Sequence, residues 1–101
     1  MSHFIDKFTV ERSGNNVRLS VGGERTLFLG REESQQIAEA LEQGKKAELV
    51  FSGETGEHMV VMVEPVATGD RWFSISVRIP LLEVQAKQLA SSLKEELAKI
   101  G

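Results

Sequence analysis

Several residue types are scarce or absent in this 101-residue chain, and each absence excludes a class of structure. The chain has no cysteine, which excludes structural disulfides and cysteine-ligated zinc and fits a reducing, cytoplasmic setting. No apolar run approaches the ~20 residues that a membrane-spanning helix needs. Residues 1–8 lack the basic and apolar segments of a secretory signal. We therefore expect a cytoplasmic protein that has no membrane partner.

The residues that usually carry catalysis or bind metals are also few. The only histidines, His3 and His58, have no further ligand at the spacing of a metal site. The glutamate pairs at 32–33 and 95–96 are neighbours in predicted helices, so their side chains diverge by about 100° and cannot act as an acid–base couple. A glycine-rich phosphate loop and a nucleophile elbow are both missing. We predict no enzyme activity, no metal and no cofactor, and keep an enzyme with a shallow site as the third alternative.

Acidic residues outnumber basic ones by 15 to 12, which gives a net charge of −3. A domain that binds nucleic acid through its bulk charge normally has a basic excess. An acidic total is nevertheless compatible with a local cationic face. The placement of the six lysines and six arginines therefore matters more than their sum.

Alternation of apolar and polar residues predicts three strands in the first half, at 7–12, 17–21 and 25–29. The sequences "SGNN" at 13–16 and "GGE" at 22–24 are typical of tight turns, because glycine and asparagine tolerate positive φ angles. One side of the resulting meander is expected to face the core, and it holds Phe8, Val10, Val17, Leu19, Val21, Leu27 and Leu29.

A helix is predicted next, and the second half repeats the plan. The helix has two glutamates in its first turn, Gly44 placed to end it, and an apolar stripe of Ile37, Ala38, Ala40 and Leu41. Three further strands are predicted at 47–52, 58–66 and 71–79, with Pro80 ending the last one. A long helix then runs from Leu82 nearly to Gly101.

The two predicted helices match each other in apolar register, with "QQIAEALEQ" (35–43) lying 52 residues before "KQLASSLKE" (87–95). We therefore predict an α+β fold of two βββα units, each an antiparallel meander followed by a helix. The units share one domain over residues 1–101, with halves at 4–44 and 45–101. A chance likeness between two amphipathic helices is the alternative to an internal duplication.

The strand faces turned away from the core carry the candidate binding residues. In "RWFSISVRI" (71–79), the outer side holds the only tryptophan and an arginine, spaced by small hydroxyls. Flat rings, cations and hydroxyls together suit single-stranded nucleic acid, because bases stack on rings and phosphates pair with cations. The alternative is that the aromatic residues pack against another protein layer. The candidate nucleic-acid-binding residues are Lys7, Arg18, Phe28, Trp72, Ser74 and Arg78.

The strand "HMVVMV" (58–63) is apolar on both sides, with Met59, Val61 and Val63 on one and Val60 and Met62 on the other. Such a strand needs a cover on both faces, and one layer of helices covers only one. The apolar stripe of the last helix is a further surface suited to dimerisation. We therefore expect a homodimer or a larger homo-oligomer.

The stretch "NNVRLSVGGERTLFLGREESQQIAEALEQ" (15–43) resembles the curved strands and following helix of the Whirly and PUR-type proteins, and of the positive-cofactor-four coactivator family. Some bacteriophage single-stranded DNA-binding proteins are similar in size and plan. The sequence differs from these families in showing three strands in each half where four are usual, and in lacking an aromatic residue after the acidic turn. The resemblance implies that the sheet binds single-stranded DNA or RNA through Arg18, Phe28, Trp72 and Arg78, and that chains associate.

These observations predict a small oligomeric protein that binds single-stranded nucleic acid, with DNA the first expectation over RNA, and with little sequence preference. The role implied is in replication, repair or transcription regulation, with a polymerase or repair protein as the partner class. The alternative is a dimeric protein-interaction module, an adaptor or inhibitor, in which Trp72 belongs to an apolar interface.

Overall fold

The computed structural model describes residues 3–22, 25–52, 58–75 and 77–100, except for the side chains at 52, 58 and 77. The described chain is α+β, with two four-stranded antiparallel sheets and two helices. The first half contains β1 (His3–Ile5), β2 (Phe8–Ser13), β3 (Asn16–Val21), β4 (Arg25–Leu29) and α1 (Arg31–Gln43). The second half contains β5 (Ala47–Ser52), β6 (His58–Pro65), β7 (Arg71–Ile75), β8 (Val77–Leu81) and α2 (Glu83–Ala98). Each sheet is a meander in chain order.

Within the described residues each half has four strands, not the three that were predicted. The added strand of the first half is β1, which pairs with β2. In the second half the predicted single strand at 71–79 is two strands, which pair with Ile75 opposite Val77. Pro80 does not end a strand but lies inside β8, opposite Trp72. This strand is at the edge of its sheet, where the missing N–H of proline is tolerated.

The turn and helix-end predictions for the first half are confirmed where the structure describes them. Ser13 pairs with Asn16 across a two-residue loop, in which Gly14 has a φ of 60°. Gly44 ends α1 in the left-handed conformation, with a φ of 69°, and its N–H donates to the carbonyl oxygen of Ala40 at 3.0 Å. The predicted turn at 22–24 lies partly outside the described residues.

Both helices begin with the same type of capping hydrogen bond, at positions 52 residues apart. The backbone N–H of Gly30 donates to Oε1 of Glu33 at 2.8 Å, and that of Leu82 donates to Oε1 of Gln85 at 3.0 Å. The strands before them, β4 and β8, are offset by the same number of residues. The likeness of the two halves thus includes a strand and a cap as well as a helix.

The core lies between the sheets and the helices and is shared by both halves. The predicted inner-face residues of β2, β3 and β4 and the stripe of α1 are all buried. Each helix packs against the opposite half, since α2 contacts β1, β2 and β3 while α1 contacts β5 and β6. The rings of Phe8 and Phe73 meet edge to face across the two sheets, with centroids 5.1 Å apart.

Of the two surfaces that were expected to support dimerisation, one is largely buried in the core of the chain itself. Ala86, Leu89 and Leu93 of α2 are buried in the core, so most of the stripe on this helix is not available to a partner. On β6, by contrast, the chain covers one face only, and Val60 on the other face stays 43% exposed. The oligomeric state remains a prediction that depends on this sheet face. Neither α1 nor α2 combines the length and apolar character that crossing a membrane requires.

Candidate nucleic-acid interface

The outer face of the second sheet brings two of the predicted residues into contact. Trp72 of β7 is half-buried, and the guanidinium carbon of Arg78 in β8 lies 5.1 Å from the centroid of its ring, a cation–π distance. Nη2 of Arg78 is also 3.5 Å from Oε1 of Glu64, which is directly opposite Trp72 on β6. The Arg78 side chain remains 61% exposed. A ring and a cation therefore share one surface, with a carboxylate beside them.

Ser74 lies next to this pair but does not add an exposed hydroxyl. It is opposite Arg78 on β8 and Met62 on β6. Its Oγ is buried and has no hydrogen-bond partner among the residues that the structure describes. The hydroxyl is thus beneath the surface formed by its neighbours, and contact with a ligand requires local rearrangement.

The outer face of the first sheet brings together the other predicted ring and cation. Arg18 in β3 is opposite Phe28 in β4 on one side and Glu11 in β2 on the other. Arg18 forms an ion pair with Glu11, and Phe28 is 57% exposed. This row of glutamate, arginine and phenylalanine corresponds in position to Glu64, Trp72 and Pro80 of the second sheet.

Lys7 lies in the turn between β1 and β2, not on the outer face of a strand as predicted. There it lines a groove of about 340 Å³ with Arg25 and Arg78. Val21 and Gly22 from the end of β3, and Ile75 and Ile79 from β7 and β8, form the rest of the described lining. The groove, called the intersheet groove below, therefore joins two predicted residues that are far apart in the sequence.

Arg25 was missed by the sequence analysis, although a signal for it is present. It pairs with Val21 and falls in the core-facing register of β4, two residues before buried Leu27. An arginine in a core-facing register at the end of a strand indicates either a buried polar contact or a place where the core opens to solvent. Arg25 is exposed, which indicates that the core opens to solvent at this end of β4.

Arg78 both lines the groove and contacts Trp72, so this residue links the groove to the ring. The structure thus brings Lys7, Arg25, Arg78 and Trp72 together. Arg18 and Phe28 form a separate cluster on the first sheet.

Three other arginines bond to the ends of helices instead of facing a ligand. Arg71 is buried, and its guanidinium donates to the carbonyl oxygens of the last turn of α1. Arg12 donates to the carbonyl oxygen of Lys99 at 3.3 Å, and Arg31 to that of Ile100 at 2.9 Å. The bonds of Arg71 satisfy acceptors that the end of α1 leaves without intrahelical partners, and those of Arg12 and Arg31 hold the residues that follow α2.

His3, which has no further ligand at metal-site spacing in the sequence, is part of β1. Its Nε2 lies 3.9 Å from Oε1 of Glu96 and 4.0 Å from Oε2 of Glu95. Glu96 is buried, and a hydrogen bond from Lys99 lowers the pKa of its carboxyl, against the opposing effect of burial. Within the described residues, no group of three or more metal-ligating side chains is placed to hold an ion.

Comparisons of the chain with protein-family models, with curated proteins and with solved structures find no match in any of the three. The contacts and charges of the intersheet groove and of the two sheet faces are therefore what supports a function.

Proposed function

We propose that the protein binds single-stranded nucleic acid, with little sequence preference, in replication, repair or transcription regulation. The observation that carries the proposal is the contact of Arg78 with Trp72 at the side of a groove that holds two more cations. Proteins that bind single strands combine a positive groove for the backbone with rings on which bases stack. Arginine planes also stack on bases, so the guanidinium of Arg78 adds to the stacking surface.

The overall negative charge does not oppose this proposal, because the groove gathers three cations and none of its described lining residues is acidic. The carboxylate of Glu64 does compete for Arg78. An exposed ion pair contributes only about 0–1 kcal/mol, so a phosphate can replace the glutamate at low cost.

The strand count supports the resemblance to the Whirly, PUR-type and positive-cofactor-four families. Those families have four strands in each unit, and the described chain has four strands followed by a helix in each half. We propose that the chain has a fold of this type. Binding of single-stranded DNA or RNA by a sheet surface is what such a fold implies.

A second candidate function is a protein-interaction module. Val50 of β5 and Val60 of β6 lie opposite each other on the outer side of the second sheet and are 60% and 43% exposed. Half-buried Met62 and Trp72 share this side. An exposed apolar sheet face of this kind is typical of a protein interface.

The proposal is tested by titrating the protein with oligo-dT while following tryptophan fluorescence, since Trp72 is the only tryptophan. Stacking of a base should quench the signal, and added salt should reverse the quenching, because the counterions that strand binding releases gain less entropy in concentrated salt. Unchanged fluorescence together with no anisotropy change of a labelled oligo-dT, at micromolar strand and low salt, would rule the function out.

The variant Trp72→Ala separates the two candidates. Binding of labelled oligo-dT should weaken while the mass from light scattering stays the same, if Trp72 stacks bases. The opposite pattern supports the interaction module. Val84→Ala is the matched control, because Val84 is an exposed apolar residue on α2 and should alter neither measurement.

A further inference from the structure

The intersheet groove has a charge composition unlike that of the rest of the chain. Its described lining contains three cations, Lys7, Arg25 and Arg78, and otherwise only Val21, Gly22, Ile75 and Ile79. None of the described lining residues is acidic, although the whole chain has 15 acidic residues. The three cations around the groove repel each other, and an anion bound in the groove would offset this repulsion.

Two of the three cations have no carboxylate partner within the part of the chain that the structure describes. Lys7 and Arg25 form no ion pair and no side-chain hydrogen bond there. Elsewhere the cations are mostly engaged, as in the pairs of Lys87 with Glu83 and of Lys94 with Glu42. The groove therefore holds basic groups that are available to a ligand.

We propose that the intersheet groove binds a phosphodiester group of a single strand whose base stacks at Trp72. The inference rests on the proposed function and adds to it the site of the backbone contact. Arg78 joins the two parts, because this residue lines the groove and its guanidinium carbon lies 5.1 Å from the indole centroid. The apolar walls formed by Val21, Ile75 and Ile79 exclude water on one side of the site, which strengthens the attraction between the cations and a phosphate.

The test measures the anisotropy of fluorescein-labelled oligo-dT over a series of salt concentrations. Lys7→Gln and Arg25→Gln each remove one groove cation and leave the ring and Arg78 in place. Lys45→Gln and Lys46→Gln are matched controls with the same change of net charge, because both lysines are exposed between α1 and β5. Each groove variant should weaken binding several-fold at low salt and reduce the slope of log K against log salt by about 0.7, the value for one single-strand phosphate contact. The controls should retain the slope of the unaltered protein.

The outcomes distinguish the site from the function. If the unaltered protein binds oligo-dT and the groove variants behave like the controls, the groove assignment is wrong and the proposed function stands. If the unaltered protein does not bind oligo-dT, the proposed function is wrong, and titration with inorganic phosphate followed by amide NMR decides the groove separately. Shifts at Gly22 and Ile79 that Arg25→Gln removes would support an anion site, and unchanged spectra would overturn it.

Discussion

Nε of Arg71 lies 2.9 Å from the carbonyl oxygen of Leu41, so a strand of the second half donates a hydrogen bond to the last turn of α1 in the first half. Nη2 also donates to the carbonyl of Glu42 at 3.3 Å, and Nη1 is 3.9 Å from Oε2 of Glu83 at the start of α2. One buried side chain thus links the end of α1, the second sheet and the beginning of α2. The two halves are held together by this polar contact as well as by the apolar core.

The variant Arg71→Met is expected to destabilise the fold by about 2–3 kcal/mol, because it leaves buried carbonyl oxygens of α1 without a donor. Chemical denaturation followed by circular dichroism measures the change. Arg25→Gln is the control, since Arg25 is exposed and should shift the free energy of unfolding by no more than about 0.5 kcal/mol. Equal stability of Arg71→Met and Arg25→Gln would show that the buried bonds contribute nothing.

The contact of Phe8 with Phe73 predicts energetic coupling between the two sheets. A double-mutant cycle of Phe8→Leu and Phe73→Leu should give an interaction energy of about 0.5–1.5 kcal/mol, as for other aromatic pairs. Phe28→Leu combined with Phe73→Leu is the control, because Phe28 is on an outer face and the two effects should add. Additive effects for the first pair would show that the contact between the two rings contributes no coupling between the sheets.

The elements with one buried face were predictable from the sequence. Alternation assigned the core face of β2, β3 and β4 correctly, and the stripe of α1 is buried as predicted. A buried face requires apolar residues at regular intervals, at every second position in a strand and every three or four positions in a helix. The sequence therefore shows which face is buried. The outer positions of Arg18, Phe28 and Trp72 follow from the same period, since a residue beside a core position points the other way.

The change of chain direction between β7 and β8 was not predictable, because the alternation of apolar and polar residues continues unchanged from one strand to the next. The pairing of β7 with β8 sets residues of the same parity opposite each other, as for Ser74 and Arg78. Even-numbered residues therefore stay on one face and odd-numbered residues on the other, and the segment reads as one strand. The groove was not predictable for a different reason. Arg25 and Arg78 line the same groove only because one sheet packs beside the other, and the local sequence pattern of each strand does not contain that arrangement.

Stability should depend on pH through Glu96. Lys99 holds the pKa of this carboxyl below its ordinary value of 4.5 by donating from Nζ to Oε2 at 2.9 Å, and nearby His3 acts in the same direction. A carboxyl with a lowered folded-state pKa binds fewer protons in the folded than in the unfolded chain. Its contribution is therefore complete above the unfolded value and is lost as the pH falls through the folded value.

Urea denaturation at a series of pH values from neutral to about 3 tests this dependence. The free energy of unfolding of the unaltered protein should decline below the ordinary carboxyl pKa, and Glu96→Gln should show a shallower decline. Lys99→Met removes the hydrogen-bond donor and should have the same effect on the slope. Identical acid profiles for the three proteins would show that this carboxyl does not contribute.

The part of the outer face of the second sheet formed by β5 and β6 is the surface that we expect to support self-association. Val50 lies on β5, an edge strand, opposite Val60 of β6, and both are exposed. An edge strand with unpaired backbone groups and an exposed apolar face favours association with another chain. A second copy of the chain would cover the side of β6 that α1 leaves open.

The variant Val60→Glu should therefore dissociate the protein, because a carboxylate placed in an apolar interface loses its hydration without gaining a partner. Light scattering should give at least twice 11.2 kDa for the unaltered protein and 11.2 kDa for the variant. Val84→Glu introduces the same charge at an exposed valine of α2 and should keep the larger mass. A mass of 11.2 kDa for the unaltered protein would show that the open face of β6 is not a contact between copies of the chain.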